Sequence, residues 1–199
     1  MIIEKEGREL SPLEFEKYTG AKWILELDFE TFDVFSSIAK KGVELYKKGE
    51  MTREQLWLGR YFQKEILSHP QPDIAIRWID PMIGWGVFAE RDFKKMEFIA
   101  EYAGKVRKRK KTDVKNGYCF EYVLVSGIYS PYTIDALEQG GIARYINHSA
   151  RPNLASSLAT FENISHIILY VKEPVAKGTQ LCYDYGPDYW SKRTAPFPL

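Results

Sequence analysis

The sequence contains little cysteine and little histidine for its 199 residues. Only two cysteines are present, Cys119 and Cys182, and the three histidines lie far apart along the chain. Two cysteines argue against a disulfide framework and exclude a structural zinc site built on cysteines. Both stand in apolar, strand-like segments, so we expect them to be buried free thiols. No two histidines have the spacing of metal ligands, and we expect no metal.

Long apolar runs and an excess of one charge are also missing. No apolar run approaches the roughly 20 residues of a membrane span. Residues 1–10 lack the apolar segment of a secretory signal. The formal net charge is +1, so no overall field draws the protein to nucleic acid. These absences predict a soluble intracellular protein.

Aromatic residues are abundant by contrast. The chain has 13 Tyr, 11 Phe and 5 Trp, which together make up 15% of the sequence. Hydrophobic residues at 45% and charged residues at 28% are typical of a globular domain. This composition predicts a large aromatic core, aromatic-walled pockets, or both.

The first 70 residues carry helix signals. Ser11-Pro12-Leu13-Glu14 and Thr52-Arg53-Glu54-Gln55 have the pattern of capping boxes, which predicts two helix starts. Between them, apolar residues recur at helical spacing at Phe32, Phe35, Ile38, Ala39, Val43 and Tyr46. We therefore predict a helical N-terminal region, residues 1–70, which carries no recognisable chemical motif.

The pattern changes to short strand-like runs after Pro70-Gln71-Pro72. Turn residues separate most of the runs, and long helices do not alternate with them, which disfavours a Rossmann sheet. The predicted strands are residues 74–79, 86–89, 98–102, 118–125, 132–134, 165–172 and 180–185. We predict a compact domain over residues 71–190, followed by a tail over residues 191–199.

Three motifs in this half carry chemistry through their order and spacing. Each one alone is most simply a turn, a cap or a core strand. They are Gly84-Trp85-Gly86-Val87-Phe88-Ala89, then Arg144-Tyr145-Ile146-Asn147-His148-Ser149 with Pro152-Asn153, and finally Lys177-Gly178-Thr179-Gln180-Leu181-Cys182-Tyr183-Asp184-Tyr185-Gly186. Together with Glu101-Tyr102-Ala103-Gly104 and Ile134-Asp135-Ala136, they resemble the SET-domain family of protein lysine methyltransferases over about residues 73–190.

This resemblance implies a fold class and a reaction. The implied fold is α+β and mainly β, with several small curved sheets around a C-terminal pseudoknot. The implied cofactor is S-adenosylmethionine, and the implied protein partner is a histone or a histone-like chromatin protein with an exposed lysine. Aromatic channel walls favour the neutral amine, so proton loss to water is expected to suffice.

The resemblance also implies roles for particular residues. Tyr185 matches the tyrosine that orients the amine and the methyl group, and Tyr183 matches the position that limits how many methyl groups fit. A tyrosine at 183 implies mainly monomethylation. Tyr118 matches a residue of the lysine channel, although a plain strand residue is an alternative. The implied cofactor-binding residues are Gly84, Trp85, Gly86, Arg144, Asn147, His148 and Tyr185, with a structural ion pair as the alternative for Arg144.

Departures from the family pattern carry expectations of their own. Ala150 stands where many members have a cysteine after Asn-His-Ser, and a cysteine-rich zinc tail is missing. Both departures predict a protein without zinc. Another segment must then close the channel, and the aromatic tail is the candidate: Tyr189, Trp190, Pro196, Phe197 and Pro198.

A basic run, Arg107-Lys108-Arg109-Lys110-Lys111, stands outside these motifs. It is interpreted as a solvated loop, a weak DNA-phosphate contact or a nuclear import signal. The compact form resembles stand-alone SET proteins of viruses and intracellular bacteria, which implies the bacterial cytoplasm and nucleoid, or a host nucleus after delivery. Two alternatives stay open: a catalytically inactive SET-like scaffold and a DNA-binding protein. The N-terminal helices are candidates for a dimer surface, a substrate platform or core packing.

Overall fold

The computed structural model describes residues 1–191, and residue 188 by its backbone alone. Its α-helices are α1 (Pro12–Thr19), α2 (Phe32–Lys47), α3 (Arg53–Tyr61), α4 (Gln63–Ser68) and α5 (Pro187–Trp190). Its strands are β1 (Ile2–Lys5), β2 (Arg8–Glu9), β3 (Lys22–Trp23), β4 (Asp28–Phe29), β5 (Ile74–Asp80), β6 (Gly84–Ala89), β7 (Phe98–Glu101), β8 (Lys105–Lys108), β9 (Cys119–Tyr122), β10 (Tyr132–Asp135), β11 (Gln139–Gly140), β12 (Asn147–His148), β13 (Leu154–Phe161), β14 (Ile164–Val171) and β15 (Gln180–Tyr183). Over this part of the chain, no helix has the length and apolar character needed to cross a membrane.

Both predicted capping boxes start helices. At α1 the Ser11 hydroxyl accepts the Glu14 N–H, and the Glu14 carboxylate accepts the Ser11 N–H at 2.9 Å. At α3 the Thr52 hydroxyl accepts the Gln55 N–H at 3.1 Å, and the Gln55 side chain accepts the Thr52 N–H at 3.1 Å. Each reciprocal pair satisfies backbone donors that a helix start leaves without partners.

The middle helix, α2, forms as predicted but buries a different face. The buried residues are Val34, Ile38, Gly42 and Leu45. Of the apolar residues that indicated the helix, Phe32 is 78% exposed and Tyr46 is 58% exposed. The helix has two apolar stripes, and only one of them can face the sheets, so periodicity alone did not identify the buried face.

Fifteen short strands form four sheets within the described residues. The largest has the order β12-β15-β6-β5-β1-β2, and the others are β4-β8-β10-β9, β13-β14-β7 and β11-β3. The first 70 residues therefore supply four strands besides helices, and β1 pairs in parallel with β5. The sequence did not indicate these strands because most of them have only two residues, too few to show an alternating pattern.

The pairing of β12 with β15 is the topological feature that positions the third motif beside the second. Asn147 pairs with Cys182 and His148 with Tyr183 in a parallel ladder, although the whole β13–β14 hairpin separates the two strands in sequence. On its other side, β15 pairs antiparallel with β6, the strand of the first motif. The mainly β architecture of several small sheets confirms the predicted fold class.

The N-terminal helices pack against this framework through two hydrophobic clusters. Phe15 of α1 and Ile38 of α2 belong to the main core, together with Val87 of β6 and Leu181 of β15. Helix α3 packs on β13 through a second cluster, which consists of Leu58, Phe62, Ile66, Ala159 and Ile168. Helices therefore cover sheets that would otherwise expose apolar faces.

Gly59 sets the distance between α3 and β13. A Cβ atom at this position would lie 1.8 Å from the backbone oxygen of Thr160. We expect Gly59→Ala to lower the free energy of unfolding by about 1–3 kcal/mol, because a backbone atom must move. Alanine in an unhindered helix position would instead stabilise. Urea unfolding measures the change, and Ser37→Ala, on an exposed face of α2, is the control. Equal stability of Gly59→Ala and the parent protein would contradict this packing argument.

Candidate active site

One cavity of about 1100 Å³ brings together most of the residues that the sequence singled out. It lies where the first motif, the 3₁₀ turn at Ile142–Tyr145 and the end of β15 meet. The predicted residues on its wall are Gly84, Trp85, Tyr118, Arg144, Asn147, Tyr183 and Tyr185. Gly86 and His148 lie directly behind that wall and contact residues that form it.

Gly86 is required by close packing. A Cβ atom there would lie 2.6 Å from Ile79 Cδ1, 2.9 Å from Gln180 Nε2 and 3.3 Å from Asn147 Nδ2. The amide of Asn147 donates to the carbonyl of Trp85 at 3.0 Å. A larger residue at 86 would push β6 away from both neighbours, so this glycine keeps the backbone of the first motif in place.

His148 connects the second motif to the third. Its Nδ1 accepts the backbone N–H of Tyr185 at 3.2 Å, which requires a lone pair on that nitrogen. Its ring packs against Trp190, with ring centroids 4.8 Å apart. The side chain of His148 therefore fixes the position of the Tyr185 backbone directly after β15.

Asn153 is a positioning residue to which the sequence assigned no role. Its amide group donates to the Gln180 carbonyl at 2.8 Å, and its oxygen accepts the Cys182 N–H at 2.9 Å. Both partners belong to β15, so one side chain holds the strand that leads to Tyr183 and Tyr185. Asn153 belongs to the second motif, which was the available sequence signal. Its hydrogen bonds to β15 are visible only in the fold.

Tyr185 and Tyr183 are held close together with their hydroxyls protonated. The Tyr185 hydroxyl donates to the Ile146 carbonyl at 2.8 Å, and the two rings lie 4.8 Å apart. Burial and the neighbouring tyrosines raise the pKa of both hydroxyls above the usual value. At neutral pH the site therefore presents two neutral hydroxyl groups on a largely apolar wall.

Tyr102 joins this group although the sequence did not select it as a site residue. Its hydroxyl donates to the Tyr118 carbonyl at 3.0 Å, and its ring packs on Phe120 at 5.1 Å. Burial raises its pKa well above the usual value. The residue stands in the supporting motif Glu101-Tyr102-Ala103-Gly104, so the available signal was its place in that motif.

A second aromatic group on the cavity wall had no sequence signal. Tyr18, at the end of α1, and Trp78 of β5 line the cavity near Trp85. The ammonium of Lys5 lies 4.5 Å from the centroid of the Tyr18 ring and 5.2 Å from that of Trp78. Cation–π attraction of this kind holds Tyr18 and Trp78 together. The N-terminal region therefore contributes Tyr18 to the cavity wall, a residue that the sequence did not single out.

Arg144 is well placed to bind an anion. Its guanidinium carbon lies 4.1 Å from the centroid of the Tyr118 ring, and its Nη1 donates to the Leu137 carbonyl at 3.3 Å. Its Nε is buried and has no hydrogen-bond partner within residues 1–191, where the side chain also forms no ion pair. A buried donor without a partner is uncommon, and this one belongs to a residue on the cavity wall. The structural ion pair that was the alternative for Arg144 does not form within this range.

The tail begins to cover the site within the described residues. Tyr189 packs edge-on against Tyr185 with ring centroids 4.7 Å apart, and the Trp190 ring lies parallel to that of Tyr185 at 6.0 Å. The remaining predicted members of the closing segment, Pro196, Phe197 and Pro198, lie outside the described residues. In the described part of the chain, no three His, Cys, Asp or Glu side chains are grouped so that they could hold a metal ion.

The basic run is only partly a solvated loop. Arg107 and Lys108 end β8, and the side chain of Arg107 is buried between Asp113 and Asp135. Arg109 pairs with Glu121 at 2.9 Å on the surface. Lys110 and Lys111 are exposed and line the rim of the cavity. Because its side chain is buried, Arg107 does not contribute to a cationic surface at this position.

Comparison with known proteins agrees with the class of site that this geometry defines. A family model described as the SET domain matches residues 84–186, which is more than half of the chain. The match begins at the first motif and ends directly after Tyr185, so it contains all the predicted site residues. The chain belongs to the SET-domain family.

Several similar proteins are named as histone-lysine N-methyltransferases. Su(var)3-9 of Drosophila melanogaster is 35% identical over 114 residues, which are 51% of this chain and 18% of that protein. Set8 of Drosophila pseudoobscura pseudoobscura is 35% identical over 149 residues, 70% of this chain and 21% of that protein. Set-2 of Caenorhabditis elegans is 32% identical over 108 residues, 51% of this chain and 7% of that protein. The chain thus spans about a fifth or less of the length of these relatives.

Proposed function

We propose that this protein is an S-adenosylmethionine-dependent protein-lysine N-methyltransferase. One observation carries the proposal: Gly84 and Trp85 of the first motif, Asn147, and the neighbouring rings of Tyr183 and Tyr185 all line one cavity. The names of the similar proteins support lysine methylation as the reaction class.

The residues present fit the proposed cofactor. Arg144 lines the cavity, and its buried Nε has no partner among the described residues. A guanidinium on this wall suits the carboxylate of an amino-acid moiety. Gly84 and Trp85 expose backbone on the same wall, where main-chain groups can approach a ligand closely. Asn147 and His148 would hold the remainder. When bound, S-adenosylmethionine supplies a methyl group on a sulfonium, which a neutral amine can attack in line.

The chain's own contribution is to position the lysine and to exclude water. Tyr185 and Tyr183 point hydroxyl dipoles from a rigid, buried wall, and the hydroxyl of Tyr185 is fixed by the Ile146 carbonyl. Because these groups are already oriented, little reorganisation is needed when the amine approaches. Tyr118 and Tyr102 extend the apolar wall along the lysine stem.

The incoming lysine must lose a proton before it can attack. An aromatic wall with little water disfavours the ammonium relative to the neutral amine. Tyr183 and Tyr185 hold their own protons at neutral pH, because burial raises the pKa of both. The proton of the lysine is therefore proposed to leave to water. The neutral nitrogen would then form a bond to the methyl carbon as the carbon–sulfur bond breaks, and its electron pair would stay on sulfur in a neutral thioether product.

A histone or a histone-like chromatin protein is the proposed substrate. The support is that the relatives described above are named as histone-lysine methyltransferases.

A weak DNA contact near that substrate is proposed for Lys110 and Lys111, which are exposed at the rim of the cavity. A duplex-binding titration at several salt concentrations tests it, and Lys110→Glu with Lys111→Glu should abolish the salt-sensitive part.

The central experiment measures methyl transfer from labelled S-adenosylmethionine to core histones and to a basic nucleoid protein. We expect Tyr185→Phe to reduce kcat by about 100-fold or more, the usual scale for loss of one preorganised polar group. The matched control is Tyr61→Phe, an exposed tyrosine on α3 outside the cavity, which should keep full activity. Wild type that neither transfers methyl groups nor binds the cofactor would contradict the proposed function and favour an inactive scaffold.

Tyr183 is proposed to limit the product to monomethyl-lysine. Its side chain is buried against Tyr185, so its hydroxyl fills space near the reacting amine. We expect Tyr183→Phe to raise the fraction of dimethyl and trimethyl product, because removing the hydroxyl leaves room for the extra methyl groups. Mass spectrometry of the product peptide measures this. Abundant trimethyl product from wild type would contradict the proposed limit.

The rate should depend on pH through the substrate. We expect kcat/KM to rise between pH 7 and 9.5, by up to about tenfold per unit, because a free lysine with a pKa of about 10.4 becomes neutral more often. The active-site tyrosines should not oppose this rise, since burial raises the pKa of Tyr183 and Tyr185 above the usual value. Circular dichroism at pH 9.5 controls for unfolding. A flat profile over this range would argue against proton loss to water.

A further inference from the structure

The buried Arg107 connects three separate segments on one side of the cavity. Its Nη1 and Nη2 donate to the two carboxylate oxygens of Asp113 at 3.0 and 2.7 Å. Its Nε and Nη2 donate to one oxygen of Asp135 at 3.0 and 2.6 Å. The side chain is only 7% exposed. Arg107 lies in β8, Asp113 lies in a 3₁₀ turn at Lys111–Lys115, and Asp135 is the last residue of β10.

The network continues from the two aspartates to the cavity wall. The second oxygen of Asp135 accepts the amide of Asn116 at 2.9 Å, and the Asn116 oxygen accepts the Tyr118 N–H at 2.9 Å. Asp113 also accepts the backbone N–H of Lys110 at 2.8 Å. Residues 110–118 are thus held by these side-chain hydrogen bonds and by a 3₁₀ turn, and the Tyr118 carbonyl also accepts the Ala136 N–H at 3.0 Å and the Tyr102 hydroxyl at 3.0 Å. Several of them line the cavity: Lys110, Lys111, Asp113, Val114, Gly117 and Tyr118.

Ordinary packing does not account for this arrangement. Residues 111–115 contain no buried side chain. Burying an arginine between two carboxylates is costly unless every group is satisfied, and here both carboxylates receive several hydrogen bonds. A bidentate guanidinium also imposes a direction that an apolar contact would not. The result is a charged clamp beneath residues 110–118.

We propose that Arg107 is a positioning residue that, through Asp113, Asp135 and Asn116, holds residues 110–118 as the substrate-side wall of the cavity. This inference rests on the proposed methyltransferase function. Arg107 itself touches neither the first motif nor Tyr185. Loosening the clamp should therefore weaken the binding of the lysine-containing peptide and leave the chemical step unchanged.

The chain provides its own reporter of the state of this wall. Cys119 follows Tyr118, is half-buried on the cavity wall, and has its sulfur 3.8 Å from Arg107 Nη2. Burial, with the nearby Asp135 and Asp113, raises the pKa of its thiol to about 11. We define the labelling ratio as the rate of Cys119 labelling by a bulky thiol reagent divided by the rate with a small reagent. A change in the thiol pKa affects both rates equally, so the ratio reports access to the thiol alone. Mass spectrometry separates Cys119 from the buried Cys182, which serves as an internal control.

The experiment compares Asp113→Asn and Arg107→Lys with wild type. Asp113→Asn keeps the size of the side chain and leaves the bond between Arg107 and Asp135, so the protein should fold. Arg107→Lys keeps the positive charge but loses the planar guanidinium that donates to both oxygens of Asp113. The matched control is Arg91→Met, because Arg91 also spans two carboxylates, Asp73 at 3.2 Å and Glu97 at 2.7 Å, away from the cavity.

We expect both variants to raise the labelling ratio at Cys119 severalfold and to raise KM for the peptide about tenfold, the scale of a lost charged hydrogen bond. The value of kcat should stay within about twofold of wild type. Arg91→Met should change none of these. A wild-type labelling ratio in Asp113→Asn, or a fall in kcat with an unchanged peptide KM, would overturn the proposal. If wild type transfers no methyl group, the proposed function fails, and the labelling ratio alone then decides the positioning role.

Discussion

The parallel pairing of β12 with β15 is the interaction on which the rest of the candidate site depends. It places Asn147 beside Cys182 and His148 beside Tyr183, while β15 pairs on its other side with β6. Three motifs that are distant in sequence become neighbours through one central strand. The side chains then reinforce the ladder, because Asn147 bonds to Trp85 and His148 accepts the N–H of Tyr185. A shift of β15 by one residue would turn Tyr183 to the opposite face of the strand and remove it from the cavity.

Burial gives the tyrosines at this crossing their chemical character. An exposed tyrosine contributes a flexible ring and a hydrated hydroxyl, whereas Tyr183 and Tyr102 are almost fully enclosed. Enclosure raises the pKa of each hydroxyl and fixes its direction, so the wall offers oriented dipoles without a charge. The neighbouring part of the wall has a different nature. Residues 110–118 lie on exposed loop structure, and the buried Arg107 and its two aspartates hold them through charge instead of apolar packing.

Much of the fold and the site could be predicted from local patterns. The capping boxes at Ser11 and Thr52 predicted helix starts, because a capping box involves only four consecutive residues. The spacing of Gly84, Asn147 and Tyr185 indicated the family, and all three lie on or beside one cavity. The buried face of α2 was beyond this reasoning, since both of its apolar stripes fit the helical period. The domain boundaries and the roles of individual site residues stay predictions.

The sequence by itself determined the class of fold, the helix starts and the residues that carry the family motifs, because each of these depends on neighbouring positions or on motif order. Only the tertiary structure decided which residues share the cavity. Tyr18 of α1 and Trp78 of β5 line the cavity, and the Lys5 ammonium contacts both rings. Asn153 lies outside β15 and bonds to its backbone. Arg107 read as one cation of a basic run, yet it lies buried between two carboxylates. The physical reason is the same in each case: a contact between distant segments exists only after the strands have paired, and no local pattern encodes it.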